Sequence, residues 1–283
     1  MRTLKTGFLL TALTLLLVFG GQALAGNQGM TFGLVLAVIM NGGAYFFSAK
    51  IALASSGARP VSREEAPRLY AVMERLAAKG NLPMPKLYVI PQAAPNAFAT
   101  GRNPSHASVA ATQGLLELMN DDELEGVIAH ELSHVRNYDI LTTSIAATLA
   151  GAISWIAYIG RWGLMLGGYG GNRDRRGGLE ALLMLIVAPI AAMLIQLGIS
   201  RQREYAADAA GARLVGHPYG LISALEKLGA YNQRIPMTNV TPATSSLYIV
   251  RPLSAGQLFA GLFSTHPPLP DRIETLRRMT VTR

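Results

Sequence analysis

The chain has 283 residues, of which half are hydrophobic and only 15% are charged, with a formal net charge of +8 and no cysteine. Soluble domains carry roughly 25% charged residues, so the composition favours a membrane protein. The absence of cysteine excludes disulfides and thiolate metal sites, and any bound metal must take His and carboxylate ligands. The positive charge suits an anionic bilayer surface. Because no basic run interleaved with aromatic residues occurs, nucleic acid is not expected as a partner.

The first predicted element is a helical hairpin. No charged residue occurs between Thr6 and Ala49, and residues 26–29 (Gly-Asn-Gln-Gly) divide this run in two. Each half is about 20 residues long, which is the length of a membrane-spanning helix. We therefore expect residues 1–54 to form a transmembrane hairpin and residues 55–283 to form a separate domain that follows it.

A cleavable signal peptide is the alternative for the first half, because Arg2 and Lys5 precede an apolar stretch that ends in Ala23-Leu24-Ala25. The predicted topology is the same in both cases. The basic residues of the N-terminus and those after the second half, Lys50, Arg59 and Arg63, favour the inside of the cell. The domain that follows is therefore expected in the cytoplasm.

A second apolar pair interrupts this domain at about residues 140–200. Residues 140–160 and 181–200 carry no charge, and each could cross a bilayer. The segment between them contains four arginines, which the positive-inside rule would keep in the cytoplasm: Arg161, Arg173, Arg175 and Arg176. The second pair is expected either to span the bilayer fully or to form a shallow hairpin packed on the domain that it interrupts, and a multi-pass α-helical membrane protein is the expected class.

The rest of the chain predicts a mostly α domain with a small sheet (α+β). An amphipathic pattern over residues 60–82 places Leu69, Val72, Met73 and Leu76 on one helical face. Strands are expected at 86–91, 96–100 and 107–112, the last two paired. Further helices are expected from the capping box of Asn120 and Glu123 to about Arg136, and at 201–215, 220–228 and 271–279, with a loop over 232–256.

The chemistry is concentrated in His130-Glu131-Leu132-Ser133-His134. Two histidines four residues apart lie on one face of a helix, so both imidazoles can bind one cation. Zinc lowers the pKa of a bound water to about 7, and a carboxylate such as Glu131, which does not bind the metal, can then remove its proton. The motif therefore predicts one Zn²⁺ per chain, with His130 and His134 as ligands and Glu131 as the catalytic base.

A third ligand is required, and Glu204 is the best candidate. Asp208 lies on the same helical face as Glu204, four residues on, and is expected to orient a ligand histidine. Small residues at 206, 207, 209 and 210 would allow this helix to pack closely on the first. The alternative is that both carboxylates pair with Arg201 or Arg213. Asp139 and Glu180 are weaker ligand candidates.

The order of these motifs resembles the HtpX family of membrane zinc endopeptidases, within the glutamate-ligand zincins. The matching segments run through nearly the whole chain: the apolar hairpin, Pro95–Gly101, His130–His134 with Asn137-Tyr138-Asp139, the second apolar pair, Ser200–Asp208, and Ser264–Pro268 with Arg272. The resemblance implies a zincin-like fold, Glu204 as a zinc ligand, and a bacterial inner-membrane protein with its active site in the cytoplasm.

The resemblance also implies several finer roles. His266 resembles a residue that stabilises the oxyanion, with a structural turn as the alternative. Asn96, Ala97 and Phe98 look like part of an edge strand that holds the substrate backbone, with an ordinary core strand as the alternative. Arg272 is expected to orient this region or to pair with an acidic neighbour. No role is assigned to His106 or His217.

The motif predicts zinc-dependent hydrolysis of peptide bonds. The resemblance implies that misfolded or surplus membrane proteins are the substrates under stress, and unfolded polypeptides are also expected substrates. A structural or chaperone-like membrane protein with a non-catalytic zinc site is the main alternative, although it leaves Glu131 without a purpose. A transporter is a weaker alternative because the apolar segments contain almost no ionisable residues. The sequence does not indicate an oligomeric state.

Overall fold

The computed structural model describes residues 2–151, 201–232, 247–250 and 267–279. Helix α1 (Arg2–Ser55) is interrupted at Ala25 and Gly26, whose backbone angles are not helical. Asn41 Nδ2 donates to the Leu10 carbonyl oxygen at 3.2 Å. In one straight helix these two residues would lie about 46 Å apart. Helix α1 is therefore two antiparallel arms, the shape that the sequence predicts for this segment.

The second arm is the more apolar one. Ala25–Ser55 has 31 residues and a mean hydropathy of 1.6, and within the described residues it is the helix long and apolar enough to cross a bilayer. The apolar part of the first arm, Thr6–Phe19, is shorter. Large apolar side chains of the second arm, among them Phe32, Val38 and Ile39, are more than 60% exposed. Such exposure suits a lipid environment better than water.

Only the start of the second predicted hairpin lies within the described residues. Residues 139–151 are helical, and we name this described part α5. Ile145 and Leu149 of α5 pack against both arms of α1 through Leu9 and Ala44. Residues 152–200 are outside the described residues, so the spanning of this segment stays a prediction.

A four-stranded mixed sheet supports one side of the domain. Its strands are β1 (Arg59–Pro60), β2 (Lys86–Ile90), β3 (Ala97–Gly101) and β4 (Ala107–Thr112), in the order β1-β2-β4-β3. Strands β2 and β4 are parallel, and the other two pairs are antiparallel. The predicted pairing of residues 96–100 with 107–112 is confirmed, and β3 is an outer strand of the described sheet.

The remaining helices are α2 (Pro67–Lys79), α3 (Gln113–Leu118), α4 (Asp121–Arg136), α6 (Arg201–Val215), α7 (Tyr219–Asn232) and α8 (Leu269–Arg277). The expected start of the helix at residue 60 is wrong, because Arg59–Pro60 pairs with β2 and the helix begins only at Pro67. Proline is favoured in a first helical turn, where its missing N–H costs nothing. The helix predicted at 220–228 extends to Asn232, and the one predicted at 271–279 lies two residues earlier. Of the loop predicted at 232–256, the described part beyond α7 is residues 247–250, and it is irregular.

Helix α4 lies at the centre of the domain. It contacts α2, α6, α7 and β3, and five of its apolar side chains are fully buried: Leu124, Val127, Ile128, Leu132 and Val135. Gly126 permits the close approach of α7, because a Cβ there would lie 2.5 Å from the Leu221 backbone nitrogen. The domain is mostly helical with a small sheet, as expected, and its core surrounds the helix that carries the histidines.

Candidate metal centre

The N-terminus of α4 is fixed by the predicted capping box. Asn120 Oδ1 accepts from the Glu123 N–H at 2.9 Å, and Glu123 Oε2 accepts from the Asn120 N–H at 2.9 Å. This pair satisfies two backbone donors at the helix start. The cap therefore sets the start of the helix, and ten residues later His130 and Glu131 are buried against the core.

The predicted ligands converge. His130 Nε2 and His134 Nε2 are 3.3 Å apart, and the Glu204 carboxylate lies 3.7 Å from the first and 3.5 Å from the second. One ligand atom from each residue lies within 4.8 Å of the others. Ligands about 2.1 Å from a tetrahedral zinc are separated by about 3.4 Å, so this set of two imidazole nitrogens and one carboxylate fits zinc.

Each histidine has a carboxylate behind it. His130 Nδ1 lies 2.9 Å from Asp208 Oδ1, and His134 Nδ1 lies 3.3 Å from Asp139 Oδ2. A carboxylate at Nδ1 holds the proton on that nitrogen and leaves Nε2 free to bind a cation. Both rings therefore present Nε2 to the same point. The geometry of Asp208 is the one that the sequence predicts, and the alternative pairing with Arg201 or Arg213 is not observed for Asp208.

Asp139 is the residue whose place sequence reasoning missed, since it was expected only as a weak ligand. Helix α4 ends at Arg136, and Tyr138 adopts a positive φ of 59°. This left-handed residue reverses the chain so that Asp139 returns beneath His134. Arg203 Nε of α6 lies 3.4 Å from Asp139 Oδ1 on its other side. The sequence signal that could have identified this role is the acidic residue just after the end of α4, the helix that carries both histidines.

Glu131 lies beside the ligands and is 2% exposed. Burial raises the pKa of its carboxyl, and the Glu204 charge acts in the same direction. The two histidines and a hydrogen bond from the Ala99 backbone N–H oppose this shift, and the pKa remains raised. A carboxylate with a raised pKa is a better proton acceptor, as a general base requires.

The predicted substrate strand reaches the site through Ala99, which lies next to the three residues named for this role. The side chain of Asn96 is buried, and its Nδ2 donates to the Val250 carbonyl oxygen at 2.7 Å. The Ala97 carbonyl oxygen accepts from the Ile249 N–H at 3.0 Å, and the buried ring of Phe98 packs edge-on against Tyr248. Residues 247–250 therefore lie along the outer edge of β3 at Ala97, and the substrate role stays a prediction.

Arg272 pairs with an acidic neighbour, as expected. It is fully buried and makes two hydrogen bonds to Asp208, at 2.8 and 2.6 Å. Burial raises the pKa of Asp208, but the charge and hydrogen bonds of Arg272, together with His130, outweigh this and lower it to about 2. Asp208 therefore stays ionised behind His130 at all physiological pH values.

The other sequence candidates do not join this cluster. His266 and Glu180 lie outside the described residues. His106 is exposed and contacts Asn103, and His217 stacks on Tyr219 with the ring centroids 5.7 Å apart. Of the four small residues expected at the helix interface, Ala207 is buried. The close approach is made by Gly211 instead, where a Cβ would lie 3.0 Å from the His130 backbone nitrogen.

Comparisons with known proteins agree with this geometry. The model of peptidase family M48 matches residues 62–280. A protease HtpX homolog of Desulfatibacillum aliphaticivorans is 54% identical over 275 residues, which cover 96% of this chain and 88% of that protein. A protease HtpX homolog of Syntrophotalea carbinolica is 52% identical over 282 residues, covering 99% of this chain and all of that protein.

A solved structure, Ste24p of S. mikatae, shares the fold at a TM-score of 0.53 and 19% identity, and the match covers 97% of this chain and 64% of that one. At this identity the likeness supports the fold alone. The family model and the relatives at about 50% identity carry the assignment. The chain therefore belongs to peptidase family M48, as one of the HtpX-like metalloendopeptidases.

Proposed function

We propose that this protease uses one zinc ion held by His130, His134 and Glu204, with Glu131 as its general base. The observation that carries the proposal is the convergence of these three side chains from α4 and α6 onto one point, with ligand atoms within 4.8 Å of one another. When bound, zinc would polarise the scissile carbonyl and make water acidic enough to ionise near neutral pH.

The protein groups around this point supply the remaining chemistry. Asp208 and Asp139 keep the protons of His130 and His134 on Nδ1, so that both rings bind the cation as neutral imidazoles. The Glu131 carboxylate accepts the proton of the attacking water and later delivers it to the leaving amine. Because Glu131 is buried, no competing solvent hydrogen bonds stabilise its charged form.

Strand β3 is proposed to hold the substrate in an extended conformation. Its Ala99 N–H contacts Glu131, so a polypeptide that pairs with β3 beyond Ala97, where residues 247–250 lie, would pass directly beside the proposed base. The roles of Asn96, Ala97 and Phe98 in this strand and of His266 at the oxyanion belong to the same proposal, and they rest on the family resemblance.

The two arms of α1 are proposed to anchor the protein in the bacterial inner membrane, as part of a multi-pass chain with the catalytic domain in the cytoplasm. The exposed apolar face of Ala25–Ser55 and the basic residues after it support this orientation. Since α5 packs against both arms, the site is held close to the bilayer, where misfolded or surplus membrane proteins would emerge as substrates. The non-catalytic alternative is not favoured, because the chain belongs to a peptidase family.

Cleavage of casein by the full chain in detergent tests the catalytic part. The parent protein, loaded with one zinc, is compared with Glu131→Gln and with the matched variant Glu125→Gln, which lies on the same helix and pairs with Arg75. Loss of the general base is expected to lower kcat by about 10² to 10⁴, with equal zinc content in all three proteins. Unchanged cleavage by Glu131→Gln would remove this residue from the mechanism.

A further inference from the structure

A small cavity lies where the second arm of α1 meets the turn between β3 and β4. Its volume is about 180 Å³, and it is lined by Tyr45, Phe46, Ser48, Ala49, Arg102 and His106. Neither the proposed catalytic residues nor the substrate strand edge take part in it. It is therefore separate from the metal centre, although Arg102 directly follows Gly101, the last residue of β3.

The turn that shapes this cavity is tightly closed. Gly101 has a φ of 147°, and a side chain there would collide with the His106 carbonyl oxygen. A residue with a Cβ is therefore excluded, and glycine brings the two ends of the turn together. His106 Nδ1 is within 2.8 Å of Asn103 Oδ1, which holds the imidazole in place. Arg102 and His106 are thus positioned by the fold.

The cavity lies at the level of the bilayer surface if α1 is anchored as proposed above. The charge-free run that begins at Thr6 ends at Ala49, and Lys50 is the next charged residue of α1. Tyr45, Phe46 and Phe47 are 38%, 61% and 54% exposed, respectively, just before that boundary. Exposed aromatic residues beside the first basic residue are typical of the headgroup region.

The lining suits an anion attached to an apolar body. Arg102 supplies a planar cation and His106 a ring nitrogen, and no carboxylate lines the cavity. Within the described part of the chain, no ion pair involves Arg102. Tyr45 and Phe46, which belong to the apolar second arm of α1, form the aromatic wall of the cavity. The volume would admit a phosphate group, while acyl chains would lie outside along the exposed face of that arm.

We propose that this cavity binds the phosphate headgroup of an anionic phospholipid from the surrounding bilayer. The bound lipid would hold the β3–β4 turn at the membrane surface. Because β3 also contacts α5 through Thr100 and Ser144, whose hydroxyl oxygens are 2.7 Å apart, the strand beside Glu131 would be fixed at both the lipid and the helix. The inference rests on the membrane anchoring in the proposed function and adds a lipid partner to it.

The test uses the full chain in phosphatidylcholine nanodiscs with increasing fractions of phosphatidylglycerol. Native mass spectrometry after release counts the phosphatidylglycerol molecules that remain bound to Arg102→Gln, to Arg102→Gln/His106→Gln and to the parent. Arg75→Gln is the matched control, since it removes the same charge at an exposed position paired with Glu125 on the far helices α2 and α4. Casein cleavage is measured on the same preparations.

We expect the parent and Arg75→Gln to retain one phosphatidylglycerol with equal affinity. A basic residue near an anionic membrane surface contributes about fivefold in affinity, so Arg102→Gln should bind about fivefold more weakly and the double variant still more weakly. The proposed site would be wrong if all variants retained phosphatidylglycerol equally, or if Arg75→Gln lost as much lipid affinity as Arg102→Gln. Full displacement of the lipid by millimolar inorganic phosphate would also overturn the proposal, because the cavity would then be a site for free anions.

The casein measurement separates this inference from the proposed function. Lipid retention that depends on Arg102, without cleavage by any zinc-loaded preparation, would support the lipid site and contradict the proposed catalytic roles. Cleavage by the zinc-loaded parent, together with equal lipid retention by the parent and Arg102→Gln, would support the proposed catalytic roles and contradict the lipid site.

Discussion

Arg272 and Asp208 form a fully buried ion pair behind the metal centre, joined by two hydrogen bonds of 2.8 and 2.6 Å. Asp208 uses Oδ1 for His130 as well, and Arg272 Nη1 donates to the Ile249 carbonyl oxygen at 3.0 Å. The Ile249 N–H in turn bonds to Ala97 of β3. One arginine from helix α8 therefore connects the orientation of His130, a proposed zinc ligand, to the chain segment that lies along β3.

Removing Arg272 should destabilise the protein strongly. In Arg272→Leu the Asp208 carboxylate is left charged without its main partner in a dry site, and breaking a buried pair in this way costs about 3–5 kcal/mol. The double variant Arg272→Leu/Asp208→Asn no longer buries that charge and should be more stable than the single one. Thermal unfolding of the full chain in detergent measures both. Equal melting temperatures for the two variants would mean that the buried charge does not cause the loss.

Asp139→Asn should weaken zinc binding without abolishing it. The amide at residue 139 no longer provides the negative charge that orients His134 and makes its Nε2 a stronger ligand, and such outer partners contribute about 10- to 100-fold in metal affinity. Competition with a chromophoric chelator measures the affinity, and cleavage should recover at saturating zinc. Asp121→Asn, an exposed aspartate paired with Arg68, is the control. A variant that binds no zinc at any concentration would instead identify Asp139 as a direct ligand.

Glu123→Gln should reduce stability in a pH-dependent way. Glu123 accepts hydrogen bonds from Lys227 and Ser223 of α7, at 2.7 and 2.6 Å, and from the Asn120 N–H. Burial raises the pKa of its carboxyl, but these donors outweigh burial and hold the pKa below its ordinary value of 4.5. A lowered folded-state pKa contributes stability above the ordinary value, and this stability is lost as the pH falls through the lowered pKa.

The expected cost of Glu123→Gln at pH 7 is about 1–3 kcal/mol, because Lys227 loses its charged partner and the α4 cap is weakened. Melting curves of parent and variant should approach each other as the pH is lowered below 4.5, the ordinary value. Glu125→Gln, whose partner Arg75 is half exposed, should show little difference at any pH. A constant gap between parent and Glu123→Gln down to the acid transition would contradict the role of ionisation.

Gly211→Ala should displace α6 from α4. The new Cβ would lie 3.0 Å from the His130 nitrogen and 3.1 Å from the Ala129 carbonyl carbon, both of them backbone atoms that cannot move aside alone. Overpacking of this kind costs about 1–3 kcal/mol. Because α6 carries Glu204, zinc affinity should fall together with the melting temperature. Ala206→Ser, on the exposed face of the same helix, is the control, and an unchanged affinity in Gly211→Ala would show that the helix spacing tolerates a methyl group.

The sequence alone determined the groups whose geometry is local. His130 and His134 share a face because four residues make about one helical turn, and the Asn120–Glu123 cap follows from the same periodicity. The strands at 86–90 and 107–112 follow from short apolar runs between turn residues. Spacing and the small residues around it made Glu204 the best candidate for the missing ligand, and the family resemblance made it the expected one.

Only the tertiary structure decided which distant groups meet. Asp139 lies under His134 because Tyr138 reverses the chain, and Arg272 reaches Asp208 from 64 residues away. Ala99 presents its N–H to Glu131 because β3 is the outer strand against α4. These partners depend on how helices and strands pack in three dimensions, and no sequence period encodes the distance between two elements that are far apart in the chain.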